Sequence, residues 1–61
     1  MVRLISNTNR IISTFELNPV SSPHIGEYIN CSMGHFLVTG RTYNFDQDGR
    51  VSYIELKVSK V

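Results

Sequence analysis

The chain has 61 residues, six Lys and Arg against five Asp and Glu, and a formal net charge of +1. A chain this short allows one domain and buries only about 60% of the surface its unfolded form exposes, and its single cysteine, Cys31, excludes an intramolecular disulfide as a staple. The apolar share of 41% against 18% charged predicts a folded domain, while the scatter of Arg3, Arg10, Arg41, Arg50, Lys57 and Lys60 argues against a patch built to grip phosphates.

Helix signals are poor from end to end. VRLIS, residues 2–6, reads as a strand, NTN as a polar turn, and RIISTFEL, residues 10–17, as a second strand that places Ile11, Phe15 and Leu17 on one side. Residues 2–17 are thus predicted to form a hairpin. This N-terminal stretch has no long apolar run and no small-residue cleavage site, so neither a signal peptide nor a membrane span is expected. With a lone thiol, that points to a reducing, cytoplasmic setting. NPVSSPHIGE, residues 18–27, is the one substantial loop, because two prolines, two serines and a glycine interrupt any ladder. EYINC, residues 27–31, follows as a short strand and SMG as a turn. HFLVTGRTYNF, residues 35–45, and RVSYIELKVSKV, residues 50–61, are long strands. Five strands predict an all-β fold: a small five-stranded antiparallel SH3-like barrel, or a twisted meander with a long C-terminal hairpin.

Between the long strands lies NFDQDGRVSYIE, residues 44–55, which resembles the calcium-binding loop of EF-hand proteins. The resemblance implies Asn44, Asp46, Asp48, Arg50 through its carbonyl, Ser52 and Glu55 as ligands, with Gly49 at the sharp turn. Asn44 departs from that pattern by lacking a charge. The preceding FLVTGRTY, with β-branched residues and a glycine, departs from the helix the family requires, and Ile54, Leu56 and Val58 alternate as in a strand. A hairpin accounts for the same residues without a metal. Asp46, Asp48 and Gly49 fit the first, third and fourth positions of a type I turn followed by a left-handed residue. The resulting register pairs Phe45 with Val51, Asn44 with Ser52, Tyr43 with Tyr53, Arg41 with Glu55, Gly40 with Leu56 and Val38 with Val58.

That register sorts the side chains by face. Phe36, Val38, Ile54, Leu56 and Val58 form a core wall, shared with Leu4, Ile11, Phe15, Leu17 and Ile29. The opposite face carries Arg41, Tyr43, Phe45, Val51, Tyr53, Glu55 and Lys57, together with Thr39, and is the candidate partner-binding surface, since aromatics and Arg are what recognition surfaces favour. Two other uses of this face stay open: a bend at Gly40 that folds it into a second part of the core, or burial against another copy in a homodimer or higher oligomer.

Other constellations are thin. Cys31, His24 and His35 lack a recognised metal-ligand spacing and read as a buried thiol and two surface imidazoles. No nucleophile has a specified base, no pair of carboxylates implies acid and base roles, and there is no glycine-rich phosphate loop. No enzymatic activity and no cofactor are expected. Two binding classes remain: a protein-interaction module of regulator or inhibitor type, and a nucleic-acid binder in which Tyr28, Tyr43 or Tyr53 stacks on bases while Arg41, Arg50 and Lys57 hold phosphates.

PHIGEYI, then GHFLV and the terminal hairpin, is similar to the small SH3-like barrels in which a turn with Pro and Gly introduces a strand. It also resembles the short single-domain proteins of phage and mobile-element genomes, which implies an inhibitor of a host protein. No functional residue is carried over from either resemblance.

Overall fold

The computed structural model describes residues 1–17 and 21–61; part of the predicted loop, residues 18–20, lies outside the described residues. Among the described residues five strands form: β1, Val2–Ser6; β2, Ile11–Phe15; β3, Tyr28–Cys31; β4, Gly34–Phe45; and β5, Val51–Lys60. They form one sheet in the order β2-β1-β5-β4-β3, curled into a half-barrel.

β1 and β2 are the predicted N-terminal hairpin, and β3, β4 and β5 follow one another antiparallel. The expectation of a purely antiparallel sheet is corrected at its centre, where β1 runs parallel to β5 and pairs Val2 with Ile54, Leu4 with Leu56 and Ser6 with Val58. A reason lies in hydrophobicity: β1 and β5 carry the most completely buried side chains, and the two strands with most to hide take the positions flanked on both sides.

Both long hairpin turns use one local device. At the first, the Ser6 N–H donates to the Arg10 carbonyl at 2.8 Å, the Asn9 N–H donates to the Ser6 carbonyl at 2.9 Å, and Asn9 has φ 64°. At the second, the Asp46 N–H donates to the Arg50 carbonyl at 2.8 Å, the Gly49 N–H donates to the Asp46 carbonyl at 3.1 Å, and Gly49 has φ 80°. The fourth residue of each turn must therefore be one that tolerates the left-handed region, Asn or Gly.

The core is the concave side of the sheet. Val2, Leu4, Phe36, Val38, Ile54, Leu56 and Val58 form a contiguous buried cluster, with Ile12, Phe15, Ile29, Cys31 and Val51 packed against it. The predicted core wall of Phe36, Val38, Ile54, Leu56 and Val58 is present, as is Leu4. Ile11 and Leu17 are corrected: they are 63% and 45% exposed. The cause is an irregularity in the β1–β2 ladder, which passes from Leu4 with Ser13 to Ile5 with Ile11 and leaves Ile12 as the extra residue. The bulge turns Ile12 inward and Ile11 outward.

Candidate interaction surface

The turn at 46–49 is built on Asp46. One carboxylate oxygen, Oδ1, accepts the N–H of Asp48 at 2.9 Å and the N–H of Arg50 at 3.0 Å, so the side chain caps the turn from within. Strands flank the segment on both sides where the EF-hand pattern requires helices. The residues of that pattern are dispersed accordingly. Asn44 is in β4, the Arg50 carbonyl accepts the Asp46 N–H, Ser52 is in β5, and Glu55 lies toward Arg3, its Oε2 3.8 Å from Arg3 Nη1. Among the described residues no group of three or more His, Cys, Asp or Glu side chains is placed to hold a metal ion. Cys31 packs against the core, while His24 and His35 are exposed and His35 stacks on Tyr28 with ring centroids 5.5 Å apart.

The β4–β5 ladder decides which side chains share a face, and here the predicted register is corrected in its middle. Both of its ends are as expected: Phe45 pairs with Val51 and Val38 with Val58. Between them the pairs run Asn44 with Tyr53, Tyr43 with Ile54, Thr42 with Glu55, Arg41 with Leu56 and Gly40 with Lys57. Two bulges produce this. Thr39 is the extra residue on β4 and Ser52 the extra residue on β5, so the first displaces the ladder by one position and the second restores it. The Thr39 hydroxyl donates to the Lys57 carbonyl at 3.2 Å, tying the bulge to the opposite strand. At Gly40 the strands approach closely: a Cβ there would stand 3.2 Å from the Lys57 Cβ.

A one-residue displacement sends every side chain to the other side of a strand. Arg41 and Tyr43, opposite buried Leu56 and Ile54, therefore lie on the concave side, as does Phe45 opposite Val51. Tyr53, Glu55 and Lys57 lie on the convex side. The single face expected to carry Arg41, Tyr43, Phe45, Val51, Tyr53, Glu55 and Lys57 together is thus split in two.

The concave group forms a ladder along one strand. The Arg41 guanidinium lies over the Tyr43 ring, 4.8 Å from its centroid, and Nη1 donates to the Tyr43 hydroxyl. Tyr43 stacks on Phe45 with centroids 6.4 Å apart. Arg41 is held in place from the loop, where its Nη2 donates to the hydroxyl of buried Ser22 at 2.7 Å. Beyond that anchor the ladder emerges from the core: Tyr43 is 45% and Phe45 63% exposed. The convex group is smaller and more polar. Arg3 on β1 lies over the Tyr53 ring at 4.6 Å and faces Glu55 in the parallel ladder.

Of the residues expected to grip phosphates, Arg41 points into the concave side, Lys57 lies on the convex side and Arg50 sits at the hairpin turn, so the sheet does not bring the three together. Among the described residues no helix is long and apolar enough to cross a membrane. Sequence reasoning missed Ser22, whose burial no pattern announces, and Arg3, which reaches Tyr53 only because β1 and β5 are parallel neighbours.

Comparisons of the chain with known protein families, curated proteins and solved structures found no match. The class the fold defines is a small five-stranded half-barrel with an aromatic ladder on its C-terminal hairpin.

Proposed function

We propose that this chain is a non-catalytic protein-binding module that acts through the concave ladder of its C-terminal hairpin, with a regulator or inhibitor role in the cytoplasm. One observation carries the reading: Tyr43 and Phe45 are large aromatic rings stacked together yet 45% and 63% exposed, on the strand that also supplies Phe36 and Val38 to the core. Aromatic rings beside an oriented Arg are the groups that anchor protein interfaces, because they desolvate large areas at low entropic cost. Homodimerisation through the same ladder belongs to this proposal, since a core as small as this one gains from added burial. The resemblance to small SH3-like barrels enters as one of architecture alone.

The nucleic-acid reading is less well supported, because Arg41, Arg50 and Lys57 share no face. The test is a pull-down from the native host with wild-type chain and with a Tyr43→Ser, Phe45→Ser double variant. The proposal expects a bound protein that the folded double variant loses. Retention of wild type on single-stranded DNA at low salt, released at high salt, would favour the nucleic-acid reading instead.

A further inference from the structure

Tyr43 and Phe45 are exposed, and exposed side chains ordinarily exchange rotamers within nanoseconds. Stopping a ring on contact subtracts from affinity, so rings that are already held bind more tightly than the same rings left free. Here the hold can be traced inward, contact by contact. Phe45 stacks on Tyr43 with ring planes 24° apart. The Tyr43 hydroxyl accepts Arg41 Nη1–H while the guanidinium lies over the ring of the same residue, so both the edge and the face of Tyr43 are engaged.

Arg41 is itself a long side chain with much rotamer freedom to lose, and would carry Tyr43 with it if it moved. The other arm of its fork stops it: Nη2 donates to the Ser22 hydroxyl at 2.7 Å. Ser22 is 1% exposed and is the one buried polar side chain among the described residues. Breaking its bond to Arg41 would forfeit a charge-assisted hydrogen bond where water is not at hand to replace it, which holds the pair together. The series of contacts therefore starts at a fixed point in the connection between β2 and β3 and ends at an exposed ring. A planar guanidinium suits the middle of it, because one nitrogen faces Ser22 while the other faces Tyr43.

We infer that Ser22 is the positioning residue of the interaction surface: through Arg41 it presets the Tyr43 and Phe45 rings, so that a partner meets them already aligned, and displacement of residues 21–23 from β4 releases them. The consequence for a partner rests on the protein-binding reading, whereas the alignment of the rings in the free chain does not.

The experiment reads the free full chain by nuclear magnetic resonance: the three-bond Hα–Hβ couplings of Tyr43 and the ring-proton shifts of Phe45, in wild type, Ser22→Ala, Arg41→Lys and Ile29→Val. The last trims a side chain packed against the core and controls for a general loss of stability. Wild type should show the couplings of a single Tyr43 χ1 rotamer and Phe45 ring protons moved upfield by the stacked ring. Ser22→Ala should average the couplings and lose at least half of the upfield shift while its amide spectrum stays dispersed. Arg41→Lys should do the same and Ile29→Val neither. If Ser22→Ala does not fold, Ser22→Cys, close in size and a weak acceptor, takes its place with the same expectation. Averaged couplings in wild type, unchanged couplings in the Ser22 variant, or equal averaging in Ile29→Val would overturn the inference. With the same chains as baits in one host lysate, a protein captured by wild type should be recovered at least threefold less by the Ser22 variant, and equal recovery would also overturn it. No capture by wild type would instead sink the protein-binding reading, with the resonance result still deciding whether Ser22 sets the rings.

Discussion

Arg41 and Ser22, nineteen residues apart, meet at 2.7 Å, guanidinium to hydroxyl, and this contact ties the long loop to the concave side of β4. It links two features of the chain: a buried polar residue in the connection between β2 and β3, and an Arg turned inward by the Thr39 bulge. Hydrogen bonds to a charged donor contribute about 1.5–3 kcal/mol. Arg41→Met, which keeps the aliphatic stem, should lower stability by about that amount and speed hydrogen exchange at the Gly26 and Glu27 amides. Arg41→Lys should restore little, because an ammonium cannot serve Ser22 and Tyr43 with the geometry of a planar fork. Unchanged stability in Arg41→Met would place the Arg outside the concave face.

Burial separates Leu56 from Ile11, which sequence alone treats as equals. Leu56→Ala removes a fully buried side chain and costs roughly 2–5 kcal/mol, comparable to the roughly 3–5 kcal/mol that so small a core supplies. The variant should be largely unfolded by circular dichroism. Ile11→Ala should change stability by less than about 0.5 kcal/mol. Equal losses at the two positions would contradict the bulge at Ile12.

The Asp46 turn predicts a graded series. Asp46→Ala removes the acceptor for two backbone N–H groups and should cost about 1 kcal/mol, whereas Asp46→Asn keeps the oxygen and should cost less. Gly49→Ala forces a side chain into φ 80° and should cost about 1–2 kcal/mol. In a domain of this size each 1 kcal/mol moves Tm by roughly 4–8 °C. Added calcium should leave the wild-type Tm where it is. A rise of several degrees would restore the EF-hand-like reading.

Asn44 lies opposite Tyr53, and its buried side-chain nitrogen, Nδ2, has no hydrogen-bond partner among the described residues. An unmatched amide is costly and Asn is a poor strand former. Asn44→Val, which sets a β-branched side chain against an aromatic ring, should stabilise the fold by about 1 kcal/mol. A lower Tm would show that the amide is satisfied after all.

Much of this architecture could be read before the coordinates because its signals are local. Alternation in Ile54, Leu56 and Val58 marks a half-buried strand, and Asp46, Asp48 and Gly49 dictate a turn through their own backbone preferences. Three bulges escaped that reasoning for a common reason. Ile12, Thr39 and Ser52 are ordinary strand residues, and nothing in their chemistry marks them as extra. The pair in the terminal hairpin is harder still, since Thr39 and Ser52 offset one another and leave both ends of the ladder as expected. Only the middle is displaced, and the middle holds Arg41 and Tyr43. The parallel pairing of β1 with β5 also lacks a local signal, as it joins opposite ends of the chain. Val2 went unrecognised as core because that pairing is what covers it.

The register of the terminal hairpin carries the whole account, and interstrand nuclear Overhauser effects on labelled protein read it directly. Backbone contacts should join Tyr43 to Ile54 and Arg41 to Leu56. Contacts joining Tyr43 to Tyr53 and Arg41 to Glu55 would mean an unbulged ladder, with the aromatic ladder on the convex side.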